Sequence, residues 1–356
     1  MIMLYEKIRD YLLEKIEGGK PGEKLPSENE LCKQFGVSRI TVQRAIKDLL
    51  EEKIIFRRKG KGTFVAPSLS SRFIAPKTIK IIYPAGGDPE DDFLFPIIRG
   101  LIDQFQHQHF DFVLTAWKSN KIRRIDASET SGIFWIAPAE KNFQMIEEIS
   151  MKGIPIIVIN RVMKNFVNFV STDHYKAGVM GTEYLVSSGH QRIGFVGFIK
   201  DNTCSSQMYE GYCSVLEKYG LKEFLTLVVP AHFKKKLEPT KDFCKKLSQL
   251  VERHCPTGLF VAGELFLDSV LRILEEKNLT PGKDIDVVIT DEIPEGTKHK
   301  ENITSIIQPL REIGDIAARA MKQIMRGETR RIRISLAPVI KPAKQSMQIF
   351  EKTERR

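Results

Sequence analysis

The chain has 356 residues, 42% of them hydrophobic, and a net charge of +10. This length points to two or three domains with real cores. No run approaches the roughly 18 apolar residues of a membrane helix, and five scattered cysteines without a CxxC pair argue against a disulfide framework or a zinc site.

The start, MIMLYEKIRDYLLEKIEGG, is charged and amphipathic and lacks the apolar core of a signal peptide, so a cytoplasmic protein is expected. The charge is uneven. Residues 1–78 hold sixteen Lys and Arg against ten Asp and Glu, more than half of the net excess. A local basic excess points to a polyanion, nucleic acid or an anionic membrane.

In chain order, a first helix is expected over about 3–17, with Leu4, Ile8, Leu12 and Ile16 on one stripe, ending at Gly18-Gly19. Ser27 with Glu30 then fits a capping box for a short helix that stops near Gly36. Ser38 can cap a third helix reaching about Glu52, and two short helices around a tight Gly turn suggest a helix-turn-helix. On the third helix Val42, Ala45, Ile46, Leu49 and Leu50 form the anchoring side. Ile40, Gln43, Arg44 and Lys47 face away, with Arg39 at the edge. Such a face suits the major groove, where Arg pairs with guanine, Gln with adenine, and an apolar group meets the thymine methyl.

Next, IIFRRKGKGTFVAP reads as two short strands around Gly60-Lys61-Gly62. Five cations and no anion lie between Lys53 and Lys61. A basic hairpin tip beside a reading helix can enter a minor groove or grip phosphate, and glycine admits the backbone closely. With Ser27, Ser38 and Arg58 at its borders, this region is the expected DNA-binding surface.

The stretch LPSENELCKQFGVSRITVQRAIKDLLEEKIIFRRKGKGTFV resembles the winged helix-turn-helix of the GntR family of bacterial transcription regulators over about residues 3–66. The resemblance implies DNA reading by the third helix and the wing tip, and carries over Arg39, Thr41, Gln43, Arg44, Lys61 and Gly62. Position 43, often Arg in the family, is Gln here.

Residues 67–78, rich in Pro and Ser, read as a linker. Apolar runs then alternate with helical patterns. Strands are expected at IKIIYP (79–84), FDFVLTAW, GIFWIAP, IPIIVIN (154–160), RIGFVGF (192–198), GLFVAG (258–263) and IDVVIT (285–290). Helices are expected at FPIIRGLIDQFQHQ, NFQMIEEISMKG, 175–188, 207–219 and 265–276. The alternation argues a parallel α/β fold. Open α/β sheets bind ligands beyond the carboxyl ends of their strands. There lie Gly86 to Phe95, Asn160, Arg161, Asp173, Glu264 and Asp291. Carboxylates and a planar Arg suit a polyhydroxyl ligand, and Phe93, Phe95, Trp117 or Phe266 could stack on a sugar face.

GIPIIVINR, STDHYKAGVMGTEYLVSSGHQRIGFVG, PTGLFVAGELFLDSVLRILEEKNLTPGKDIDVVITDEIP and NITSIIQPLREIGDIAARAM resemble the ligand-binding domain of the LacI family, which shares its fold with periplasmic sugar-binding proteins. The resemblance implies two lobes crossed three times by the chain and an effector in the cleft. Reading two half-sites needs a two-fold partner, so two copies are expected to pair through the α/β domains. Gln207 and Gly263-Glu264 replace the Arg and Asn-Asp that the family often has at effector positions.

The expected fold is therefore an N-terminal winged helix-turn-helix (α+β), residues 1–66, joined to an α/β two-lobed periplasmic-binding-protein-like domain over 79–345, with a polar tail at 346–356. The expected function is a DNA-binding transcription regulator, a repressor acting as a homodimer on a roughly palindromic DNA operator, with a sugar or sugar derivative as effector. The alternative is a constitutive DNA-binding protein whose α/β domain only dimerises. No GxSxG, HExxH or P-loop pattern occurs, so no enzyme is expected, and no motif implies a cofactor. His107 and His109 raise a metal role, and GDPEDD (87–92) a cation site. A helix end and a solvated loop are the plainer readings.

Overall fold

The computed structural model describes residues 4–17, 20, 22–51, 54–66, 78–84, 88, 91–106, 110–117, 125, 129–164, 166–197, 203–221, 225–228, 241–329 and 331–344. The expected linker at 67–77, His107, His109, the polar tail and part of GDPEDD lie outside them. The main break between two compact units falls between Thr78 and Ile79.

The first unit holds α1 (Leu4–Glu17), α2 (Glu28–Phe35), α3 (Arg39–Glu51), β1 (Ile55–Arg58) and β2 (Gly62–Val65). Its start signals work as the residues suggest. Ser27 Oγ accepts from the Glu30 N–H at 3.3 Å, and Glu30 Oε2 accepts from the Ser27 N–H at 2.7 Å. Gly36 ends α2 in the left-handed region at φ 62, a conformation that costs glycine nothing. Ile8, Leu12 and Ile16 of α1 bury against Leu31 and against Val42, Ala45, Ile46 and Leu49 of α3. β1 and β2 pair antiparallel, Arg58 opposite Gly62. The segment before α2 adds a rung to this ribbon, Leu25 N–H donating to Thr63 O at 2.9 Å.

The second unit has two six-stranded sheets. Lobe 1 contains β3 (Thr78–Pro84), α4 (Leu94–Asp103), β4 (Asp111–Trp117), β5 (Gly132–Ile136), α5 (Phe143–Met151), β6 (Ile156–Ile159) and β7 (Asn168–Thr172). Lobe 2 follows with α6 (His174–Ser187), β8 (Ile193–Gly197), α7 (Thr203–Lys218), β9 (Leu225–Val228), α8 (Lys241–His254), β10 (Gly258–Val261), α9 (Leu267–Glu276), β11 (Asp286–Thr290) and β12 (Ile303–Ile307). The chain returns to lobe 1 for α10 (Leu310–Met325) and β13 (Arg333–Leu336), and ends in lobe 2 with β14 (Val339–Lys341).

The sheet orders are β13-β7-β6-β5-β3-β4 and β14-β12-β11-β10-β8-β9. The chain thus crosses between lobes three times, at 172–174, 307–310 and 336–339. β5, β6, β8 and β10 read as unbroken apolar runs because they are buried on both faces, whereas β7 (NFVST) and β11 (DVVIT) are equally buried but carry polar residues. Against the parallel expectation, β14 runs antiparallel to β12, since it arrives by a two-residue crossing rather than through a helix.

Helices approach where glycines clear the way. A Cβ on Gly211 of α7 would lie 2.3 Å from the Tyr175 carbonyl oxygen, and one on Gly178 of α6 2.0 Å from that of Met208. α7 begins at 203, four residues before the expected start at 207, and so reaches the ends of the strands.

Candidate functional site: a DNA-reading face and an interlobe cleft

The candidate DNA-binding face is assembled from α3, the start of α2 and the wing. Ile40 is 78% exposed, with Arg39, Gln43, Arg44 and Lys47 beside it on the surface. Arg44 lies over the Tyr5 ring, 4.5 Å to its centroid, which restrains the guanidinium. Arg58 covers Phe56 and Phe64 at 5.3 and 5.7 Å, and those two rings stack at 5.8 Å. Lys61 and Gly62 stand exposed at the tip. Ser38 Oγ and Thr41 Oγ1 share a hydrogen bond of 3.0 Å, so both hydroxyls serve the helix start. Ser27 Oγ accepts in its cap and keeps its own O–H for donation.

One group here escaped the sequence reading. Glu28 Oε2 accepts from Arg39 Nε at 2.8 Å and Gln43 Nε2 at 3.0 Å, and Glu28 Oε1 accepts from an Arg57 guanidinium N–H at 2.6 Å. Partial burial works to raise the Glu28 pKa. The donors Arg39 and Gln43 and the charges of Arg57 and Arg39 outweigh it and hold the carboxyl below the usual range.

The second unit concentrates polar groups and backbone strain where its strands end. Ala137, Asn160 and Asp291 follow directly on β5, β6 and β11 with φ of 44, 54 and 98. Non-glycine residues held there cluster at binding sites because the surroundings must over-determine them. The hinge is one connected network. Gln308 Oε1, between β12 and α10, accepts from Asn160 Nδ2 at 3.1 Å and from Thr172 Oγ1 at 2.8 Å. Gln308 Nε2 donates to Asp291 Oδ1, and Asp291 Oδ2 accepts from the Glu264 N–H at 3.4 Å. Asn160 Oδ1 also accepts from the Thr172 N–H at 3.3 Å. Arg161 of lobe 1 reaches Cys204 Sγ of lobe 2 at 2.7 Å and its neighbour's carbonyl, Asn160 O, at 2.8 Å.

Electrostatically the cleft is acidic. Burial raises the Asp291 carboxyl pKa against the opposing bonds from Gln308 and the Glu264 amide. Partial burial and then Asp291, Asp268, Asp92 and Asp91 push Glu264 up. Glu264 of lobe 2 thus feels carboxylates of both lobes. Asp91 also starts α4, accepting from the N–H groups of Phe93 and Leu94 at 3.1 and 2.5 Å.

The candidate residues divide accordingly. Phe95, 51% exposed, and Glu264 are open, while Phe93, Arg161, Gln207 and Asp291 are half-buried. Asn160 is buried, and both ends of its amide serve the hinge. Asp173 spends one oxygen capping α6, accepting from the Lys176 N–H at 2.9 Å. Two stacking expectations are corrected. Phe266 is 1% exposed and packs on Phe243 at 5.3 Å inside lobe 2. Trp117 leans on Trp135 at 5.1 Å in the lobe 1 core. In both, an aromatic near a strand end was claimed by the nearest apolar layer.

Sequence reasoning also missed Gln308, Thr172 and His174. The His174 ring is fully buried, with no partner on either nitrogen, and burial and Arg161 hold its pKa down to about 3. Only its place directly after Asp173, where the chain changes lobes, could have signalled it. Among the described residues no group of His, Cys, Asp and Glu is arranged for a metal ion, and no helix is long and apolar enough to cross a membrane.

Residues 4–65 match the profile of bacterial regulatory proteins of the gntR family, and residues 182–342 that of the periplasmic binding protein-like domain. The chain is a gntR-type winged helix-turn-helix fused to a periplasmic-binding-protein-like domain. It is similar to the arabinose metabolism transcriptional repressor of Geobacillus stearothermophilus, 26% identical over 341 residues, covering 90% of this chain and 91% of that protein. Its fold is that of the transcriptional regulator CelR solved with cellobiose, with TM-score 0.64 and 18% identity over 96% of this chain and 98% of that one. A LacI family regulator from Enterococcus faecium with bound ribose gives TM-score 0.61 and 21% identity over 75% and 98% of the two chains. The gntR-type part supplies the basic face described above, and the second part the acidic cleft.

Proposed function

We propose that this chain is a transcriptional repressor whose affinity for its DNA operator is set by a sugar held between the two lobes. The observation that carries the reading is the pairing, in one chain, of an exposed helix face with Arg39, Gln43, Arg44 and Lys47 and a cleft whose lobes meet through Gln308. Repressors of sugar metabolism of similar length and regulators solved with cellobiose or ribose support it. Arg39, Thr41, Gln43 and Arg44 read bases, while Ser27, Ser38, Lys47, Arg58, Lys61 and Gly62 hold backbone or minor groove.

In the cleft, Asp291, Glu264, Arg161, Asp173, Gln207 and Phe95 face the effector. An acid-rich cleft favours an uncharged polyol, whose hydroxyls donate to carboxylates, over a sugar phosphate. Two copies pair through the second unit, because a two-fold pair matches a roughly palindromic operator. Sugar binding closes the lobes, changes the spacing of the two reading heads and weakens DNA binding. The coupling is bounded by the sugar's preference for the closed form.

The test is fluorescence anisotropy of the full chain on the DNA upstream of its own gene, titrated with free sugars and sugar phosphates. A tenfold affinity change with one neutral sugar, about 1.4 kcal/mol, supports the sensor. DNA binding that no sugar alters leaves either an effector of another class or a constitutive binder whose second unit only dimerises.

A further inference from the structure

Glu28 belongs to none of the residues assigned so far, yet three donors from two different elements end on it. Arg39 and Gln43 sit one turn apart on α3, and Arg57 lies on the wing strand β1, 29 residues along the chain from Glu28. The Glu28 side chain is 15% exposed, against 68% for Arg39 and 48% for Arg57, so an inner anion carries an outer layer of cations. Its place as the first residue of α2 suits an acid, because the helix start is the positive end of the dipole.

We propose that Glu28 is a specificity-determining positioning residue, which presets Arg39, Gln43 and Arg57 for base reading and disfavours binding to the wrong DNA. The inference rests on the DNA-binding reading above. A carboxylate only accepts, so the Gln43 amide must turn its nitrogen inward. That leaves the Gln43 carbonyl and one N–H outward, the pair that adenine accepts and donates to. Arg39 engages Glu28 through Nε, which leaves its two terminal nitrogens outward for guanine. On the right sequence these donors meet bases without leaving Glu28.

On a wrong sequence they can bind only phosphate. To do so the side chains must swing away and leave the carboxylate without its donors. The same negative charge lowers the attraction of this face for the phosphate backbone, the term that drives non-specific binding.

The experiment selects binding sites from a random duplex pool with the full chain, its Glu28→Gln variant and its Glu28→Asp variant. Anisotropy then compares the recovered site with a scrambled duplex. Glu28→Gln removes the charge at constant shape. Glu28→Asp keeps an acid at the helix start while being too short for three donors, so it carries the test should Glu28→Gln misfold. The expected result is a wild-type consensus that flattens at two or more base positions per half-site in the variants. The scrambled duplex binds them more tightly, and the ratio of specific to non-specific affinity falls about tenfold. An unchanged consensus and ratio overturns the inference. So does a loss confined to one base position, which would make Glu28 a direct reader of a cytosine amine. A wild-type chain that enriches no sequence overturns the DNA-binding reading itself, and this inference with it.

Discussion

Gln308 ties residues from both lobes into one amide. It holds Asn160 and Thr172 on one side and Asp291 on the other. Replacing Gln308 with Ala strands these groups, and a buried polar group left unsatisfied costs about 1–3 kcal/mol. Asn160 and Thr172 are buried, so a loss of about 2–4 kcal/mol is expected, read as a lower urea midpoint of the second unit. An unchanged midpoint would mean that water replaces the amide. His174 titrates in the opposite sense from a paired histidine. The unfolded chain takes up a proton as pH falls through 6.5, while the folded ring resists until about 3. Stability from this group is therefore full above pH 6.5 and is lost between there and 3, by up to about 1.4 kcal/mol per pH unit. Urea melts between pH 7 and 5 should show a shallower acid loss for His174→Gln than for wild type. Equal slopes would place the acid sensitivity elsewhere.

Among the described elements, α6 packs on α7 with backbone against backbone. The Gly211→Ala change puts a methyl against the Tyr175 carbonyl, which no rotamer can relieve. The helices must part, with an expected loss of about 1–3 kcal/mol in the same urea assay. A neutral result would show that α7 shifts freely. Element identity was mostly readable. The Ser27–Glu30 cap, Gly36 and the α3 anchors follow from spacing within a few residues, and periodicity reports such local spacing well. β9, α8, β12, α10, β13 and β14 received no element assignment. β13 and β14 are three or four residues long with exposed alternate positions, which leaves little pattern to read.

For the whole molecule, the two functions should separate by mutation because their residues lie in different units. Arg39→Ala should weaken operator binding by about 1–3 kcal/mol, the worth of one bidentate base contact, with sugar affinity unchanged. Asp291→Ala should keep operator binding and lose the sugar response. Anisotropy with and without sugar reads both. Normal operator binding by Arg39→Ala would misplace α3, and full induction of Asp291→Ala would remove that residue from the site.

The sequence by itself determined the order of the two units, the helices and ribbon of the first, the outward face of α3, and the strand ends on which Arg161, Glu264 and Asp291 sit. These rest on repeats of two or 3.6 residues and on turn chemistry, both local. Tertiary structure alone decided which polar groups meet. Asn160 joins Gln308 across 148 residues, Glu28 gathers donors from α3 and β1, and Phe266 turns into the core. Such meetings depend on where the chain crosses between lobes and on which apolar layer closes first. Neither leaves a periodic trace in the residues that take part.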